Sequence, residues 1–153
     1  LSSFSPPCTV ELQGLSMRLI HGDVLFGGKS RLWPDSPPEV YRTLKNRYQE
    51  PHILISHTHI QFERSFEGTH FVNPGGLGQP RLGRVLAGYG VLEKGNIRLE
   101  AVPYDAEKTA RDMDRLPLET TFIRAWQSSF RKGTVPDFYN IRDFSPLMKM
   151  GLR

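Results

Sequence analysis

Short hydrophobic runs separated by turn-forming residues fill the first two thirds of the chain. Runs over 9–12 and 17–20 flank Gln13-Gly14 and predict a hairpin of two strands. The mostly β-branched run over 52–55 predicts a buried strand. Four further strands are predicted in two hairpins, over 61–66 with 69–72 and over 87–93 with 97–102.

Helical spacing of apolar residues predicts three helices. The first covers about 37–48, where Ser36 and Glu39 have the spacing of a capping box. The second follows Asp105, a favourable N-cap residue, and extends to about residue 113. The third carries an apolar stripe that recurs every fourth residue and ends at Gly133. The stripe consists of Leu118, Phe122, Trp126 and Phe130.

The order of these elements predicts an α/β (α+β) fold with a mixed sheet and flanking helices. The 153 residues fit one domain over 1–153, in which the tail 134–153 has no assigned structure. A content of 38% hydrophobic and 24% charged residues is typical of a chain with a packed core. No apolar run approaches the roughly 20 residues of a membrane-spanning helix.

Cysteine use and the first residues bear on the compartment. A single cysteine, Cys8, excludes an internal disulfide and a cysteine-based zinc site. The first eight residues have no basic region followed by an apolar one, so they do not resemble a signal peptide. A cytoplasmic location without membrane attachment is therefore expected.

The net charge of +4 favours anionic ligands. Nucleic-acid binding is the less favoured class despite a pI of about 9.4, because the basic residues are dispersed along the chain. A glycine- and proline-rich loop covers 22–38, and its segment Gly27-Gly28-Lys29-Ser30 resembles the end of a phosphate-binding P-loop. That motif requires a glycine where Asp23 stands, so a nucleotide P-loop is not predicted.

Histidines follow two of the predicted strands. His57 and His59 come directly after the strand 52–55, and His21 ends the apolar run before it. Imidazole is a common ligand of first-row metals, so two neighbouring strand ends are expected to bring the three rings together as a metal site. The alternative is that they are ordinary, partly exposed loop histidines. His52 and His70 lie within strands, where a structural role is favoured.

Four ordered motifs resemble the C-terminal half of calcineurin-like metallophosphoesterases, and most of all the small bacterial and archaeal phosphodiesterases. The resemblance extends from Met17 to about Asp105. The motifs are Leu19-Ile20-His21-Gly22, Ser56-His57-Thr58-His59, the loop from Asn73-Pro74-Gly75-Gly76 to Arg81, and Val102-Pro103-Tyr104-Asp105.

The resemblance implies half of a four-layer α/β/β/α sandwich and a centre of two divalent metal ions, Mn, Fe, Zn or Ni. By motif, His21 and His57 would bind one metal and His59 the other. Arg81 would face the phosphate of the substrate. The implied activity is hydrolysis of a phosphate ester, either a small molecule or a nucleotide, by metal-activated water.

The chain also departs from the family pattern. The N-terminal motifs Asp-x-His, Gly-Asp-x-x-Asp and Gly-Asn-His-Asp/Glu are absent from this chain, and Asp23 does not replace their carboxylates. Ser56 stands where the family has glycine, and Gly76 where it has serine. The chain is therefore expected to be a fragment that pairs with a missing N-terminal half or another copy. The alternative function is a catalytically incomplete, phosphoesterase-like binding or scaffold module.

Overall fold

The computed structural model describes residues 8–22 and 32–136. It has a mixed α+β fold. The described residues form seven strands: β1 (Cys8–Leu12), β2 (Leu15–Ile20), β3 (His52–Ile55), β4 (Phe62–Phe66), β5 (Thr69–Asn73), β6 (Leu86–Glu93) and β7 (Asn96–Pro103). The same ranges contain three helices, α1 (Pro38–Arg47), α2 (Ala106–Asp112) and α3 (Thr120–Lys132), and a 3₁₀ turn, Met113–Arg115, follows α2. The P-loop-like segment over 27–30 and residues 137–153 of the predicted tail lie outside the described residues.

The chain divides into two compact units. One contains the described residues up to Gly75 together with Gly90–Glu100, and the other contains Gly76–Tyr89 together with the described residues from Ala101 onward. No helix in the described ranges combines the length and apolar character needed to cross a membrane.

The first unit contains a five-stranded sheet in the order β1-β2-β3-β5-β4. The outer pairs β1–β2 and β4–β5 are antiparallel, whereas β2–β3 and β3–β5 are parallel. This confirms the predicted mixed sheet. Ile20 at the end of β2 pairs with Ile55 at the end of β3, so the residues that follow these two strands begin at the same edge.

Helix α1 covers one face of this sheet. Tyr41 and Leu44 of the helix and Ile53 and Phe71 of the sheet are all fully buried in one core. The helix was predicted correctly, but its capping box was wrong: Pro37 is the N-cap and no side chain caps the helix. The Ser36 hydroxyl instead accepts a hydrogen bond from the Trp33 backbone N–H at 2.9 Å, because the chain turns there before the helix begins.

The second unit contains α2 and α3. The Asp105 side chain accepts a hydrogen bond from the Lys108 backbone N–H at 2.9 Å, which confirms its predicted capping role. Helix α3 ends at Gly133 as predicted, but it begins at Thr120 with Glu119 as N-cap. Leu118 therefore precedes the helix and is 48% exposed, so it does not belong to the buried stripe. The helix begins after Glu119 because the Glu119 carboxylate accepts hydrogen bonds from two backbone N–H groups of the first turn.

Gly133 ends α3 at a close backbone approach. Its φ is +66°, and a Cβ added there would lie 2.3 Å from the Arg84 carbonyl oxygen. Gly133→Ala is expected to lower the free energy of unfolding by about 2–4 kcal/mol, since left-handed strain and overpacking add. Urea denaturation measures this change. Gly95→Ala is the control, because Gly95 has φ +79° in open space and tests left-handed strain alone. Equal losses in both variants would contradict the role of the Arg84 contact.

His52 and His70 form a pair on the sheet, opposite each other on β3 and β5 with ring centroids 5.7 Å apart. Burial lowers the pKa of His52, and the neighbouring His70 lowers it further. A hydrogen bond with the Ser16 backbone raises this pKa, but it does not offset the other two effects. His70 Nε2 lies 3.3 Å from the Glu63 carboxylate on β4. The two rings therefore occupy strand positions with structural partners.

This pair makes stability depend on pH. Because the pKa of His52 is lower in the folded state, the unfolded chain binds more protons, and the stability present above about pH 6.5 is lost as the pH falls below it. We expect the free energy of unfolding to drop between pH 7.5 and 5, and His52→Gln to reduce that drop. Urea denaturation at both pH values measures it; an unchanged pH dependence in His52→Gln would contradict the assignment.

Candidate metal centre

Two histidines meet where β2 and β3 end. His21 directly follows Ile20, and Ser56 and His57 directly follow Ile55. The Ser56 backbone N–H donates to the Ile20 carbonyl at 3.3 Å, which extends the parallel pairing by one residue beyond the strands. Gly22 allows the chain after β2 to lie close to His57, since a Cβ at position 22 would be only 3.1 Å from the Cβ of His57.

The imidazole rings of His21 and His57 are in direct contact. His21 Nε2 lies 2.8 Å from His57 Nδ1, and the rings are nearly perpendicular at a centroid distance of 4.7 Å. Two zinc–nitrogen bonds at a tetrahedral angle separate their nitrogens by about 3.3 Å. A shift of about half an ångström would thus allow a first-row metal ion to replace the proton shared by these nitrogens. The donor set of the pair fits such an ion.

The loop that carries His57 has an unusual backbone. The φ angles of His57 and His59 are +79° and +59°, so the extended backbone that would place both rings on one side is not present. Such conformations are costly for residues other than glycine and are frequent at functional sites. Thr58 between them is fully buried.

Asn73 holds this loop in place. It begins one of the four motifs of the resemblance, but the sequence analysis assigned it no role in the site. Its Nδ2 donates to Thr58 Oγ1 at 2.9 Å and lies 3.5 Å from the Ser56 carbonyl oxygen. Its Oδ1 accepts from the Gly75 backbone N–H at 2.9 Å. Asn73 is fully buried, so the amide connects the end of β5 to the histidine loop. The available sequence signal was an amide residue ahead of Pro74 at the end of an apolar strand.

The other predicted site residues are placed differently. Arg81 donates to Gln79 Oε1 at 2.8 Å, and it belongs to the second unit. His59 is half-buried in the loop after His57. Within residues 8–22 and 32–136, no three or more histidine, cysteine, aspartate or glutamate side chains converge as a metal-binding group. The metal-binding roles of His21, His57 and His59 and the phosphate-binding role of Arg81 remain predictions.

Comparison with known proteins identifies the fold. No family model and no curated protein sequence matches the chain. Among solved structures, it is similar to the hypothetical protein PH1004 of Pyrococcus horikoshii, with a TM-score of 0.64 and 14% identity over 76% of this chain and 48% of that one. It is also similar to a metallophosphoesterase of Sphaerobacter thermophilus, with a TM-score of 0.60 and 18% identity over 77% of this chain and 55% of that one. The chain therefore has a metallophosphoesterase-like fold and spans about half the length of these neighbours.

Proposed function

We propose that this chain forms part of a metal-dependent phosphoesterase that hydrolyses a phosphate ester of a small molecule or nucleotide. The observation that carries the proposal is the 2.8 Å convergence of His21 Nε2 and His57 Nδ1 at the ends of two parallel strands. It occurs in a fold similar to that of a metallophosphoesterase. In open α/β sheets, ligand sites lie at this carboxyl edge of the strands.

The chain's own residues have distinct roles in this proposal. Neutral imidazoles of His21 and His57 hold one divalent ion, and His59 contributes to the second. When bound, a pair of such ions activates water and neutralises charge on the phosphoryl group. Mn, Fe, Zn and Ni all suit imidazole ligands. Asn73 keeps the histidine loop in its left-handed conformation, which fixes the ring of His57 against His21.

A dinuclear centre needs negative charge that these residues do not supply. Two dications about 4 Å apart repel strongly, and three neutral imidazoles leave that repulsion uncompensated. We therefore propose that carboxylate ligands come from outside this chain, either from a missing N-terminal half or from another copy. The chain covers only 48% and 55% of two of its structural neighbours, in agreement with such a second half.

The sheet face opposite α1 supports the same pairing. Val10, Leu19 and Leu54 on this face are only partly buried, and Leu12 is 51% exposed. An apolar cavity of about 320 Å³ lies between them and Leu92 of the hairpin, within the first unit. Met17 and Val72 on the same face are buried, so this chain already covers the centre of the face. The exposed part around Leu12 is where a second polypeptide would add cover.

A second candidate function is a catalytically incomplete binding or scaffold module. The observation in its favour is that no group of three or more potential ligands converges within the described ranges. Such a module would keep the fold and the paired histidines and would not turn over a phosphate ester.

The two functions are separated by metal binding and turnover. Calorimetry with MnCl₂ and ZnCl₂ measures metal binding, and hydrolysis of bis(p-nitrophenyl) phosphate measures activity, both for the chain alone and for the form assembled with its partner. The phosphoesterase proposal expects metal-dependent turnover of the assembled form that His57→Ala and His59→Ala each reduce strongly. Unchanged turnover in both variants would reject the assigned site. Absence of turnover in the assembled form, with or without metal binding, would instead support the scaffold function.

A further inference from the structure

Ser56 lies beside the two histidines with its hydroxyl facing one of them. Ser56 Oγ is 3.0 Å from His21 Nδ1, while the other nitrogen of that ring, Nε2, contacts His57.

The backbone of Ser56 is fixed on both sides of its side chain. Its N–H donates to the Ile20 carbonyl at 3.3 Å, and its carbonyl accepts from the Thr58 N–H at 3.0 Å. The Asn73 amide lies 3.5 Å from the same carbonyl. These contacts hold the main chain and therefore fix the Cβ of Ser56 relative to His21, and the side-chain rotamer then places Oγ 3.0 Å from His21 Nδ1.

A neutral imidazole carries one N–H and one lone pair, so its two nitrogens have complementary roles. For His21 to offer the Nε2 lone pair to a metal ion, its proton must reside on Nδ1, and that N–H needs an acceptor. Ser56 Oγ is the acceptor within reach. Partners of this kind fix the tautomer and orientation of metal-ligating histidines.

We propose that Ser56 is a positioning residue that holds His21 with its proton on Nδ1 and its Nε2 directed at the metal. The inference rests on the proposed function, because it takes His21 to be a metal ligand. It adds a residue that acts through His21 and touches neither metal nor substrate. The His21 side chain is exposed, so water competes with the hydroxyl and the expected effect is at the lower end of the usual range for such partners.

The test compares Zn²⁺ affinity and the state of the His21 ring in the whole chain. Ser56→Ala is expected to weaken Zn²⁺ binding about 10-fold, whereas Ser56→Thr, which keeps the hydroxyl, should remain within about 3-fold of the wild type. In ¹⁵N-resolved NMR spectra of the zinc-loaded protein, the His21 Nδ1–H should be observed in the wild type and in Ser56→Thr. In Ser56→Ala it should exchange with water too fast to detect.

The outcomes separate this inference from the function on which it rests. A wild-type chain that binds no zinc overturns the role of Ser56, whereas the proposed function is overturned by unchanged turnover of the assembled form in His57→Ala and His59→Ala. Zinc binding by the wild type with unchanged affinity and an unchanged Nδ1–H signal in Ser56→Ala overturns the role of Ser56 alone. Coordination of zinc through His21 Nδ1 overturns it as well. A Ser56→Ala variant with a lower melting temperature but wild-type affinity and ring signals would assign Ser56 a merely structural role, which also contradicts the proposal.

Discussion

His57→Ala is expected to weaken the binding of Mn²⁺ or Zn²⁺ to this chain by at least about 100-fold, and His21→Ala is expected to do the same. Each variant removes one of two nitrogens that lie 2.8 Å apart, and a single exposed imidazole binds first-row metals only weakly. The two variants have the same expected effect because the imidazole that remains in each of them cannot chelate the ion by itself. Isothermal titration calorimetry at pH 7.5 measures the loss directly.

His70→Ala is the matched control for these variants. His70 lies on β5 of the same sheet and is paired with Glu63 at 3.3 Å, but it does not occupy the carboxyl ends of β2 and β3. Its removal should leave metal affinity within about 2-fold of the wild type, since surface pairs act locally. A loss in His70→Ala as large as in His57→Ala would move the metal site to the His52–His70 pair. Retained affinity in both His21→Ala and His57→Ala would contradict the proposed centre.

The meeting of His21 and His57 was predictable because it depends on local pattern and one rule of sheet geometry. The apolar runs before each histidine define strands, and a helix between them at residues 38–47 favours a parallel crossover. Parallel neighbours end at the same edge of the sheet, so residues that follow them approach each other. The contact between the rings agrees with that expectation; their role as ligands remains a prediction.

The conformation of the histidine loop was not predictable in the same way. Positive φ angles at His57 and His59 oppose the intrinsic preference of an L-residue. They are stabilised by hydrogen bonds from Asn73, which lies more than a dozen residues further along the chain. A contact of this kind depends on the pairing of β3 with β5, and no periodicity in the sequence encodes it.

The ends of the helices were predicted correctly where one side chain could cap the helix, and wrongly where another group competed for that side chain or supplied a cap at a different residue. Asp105 was identified correctly because its carboxylate reaches the Lys108 N–H within the same turn. Ser36 had the same kind of signal, but its hydroxyl accepts a hydrogen bond from the Trp33 N–H instead of one from the helix. Leu118 fitted the stripe of α3 by spacing alone, while Glu119 supplied the stronger start. Spacing identified these helices, and competition among local donors set where they begin.

Phe71→Ala is expected to lower the free energy of unfolding by about 3–5 kcal/mol, the range for an aromatic side chain removed from a packed core. Phe71 is fully buried on β5 between Ile53 of β3 and the ring of Tyr41, which it meets edge-to-face at 5.1 Å. The cavity would open directly between α1 and the sheet, where fixed backbones limit collapse. Urea denaturation followed by circular dichroism measures the change.

Phe122→Ala is the control for aromatic truncation, because Phe122 on α3 is 39% exposed and should lose only about 1 kcal/mol. Phe71 lies two residues before Asn73, so loosening of β5 should also disturb the amide that holds the histidine loop. We therefore expect Phe71→Ala to weaken metal binding even at temperatures where the chain stays folded, whereas Phe122→Ala should leave metal binding unchanged.

Equal losses of stability in the two variants would contradict the assignment of the core. Unchanged metal affinity in folded Phe71→Ala would show that Asn73 holds the loop independently of the packing of β5.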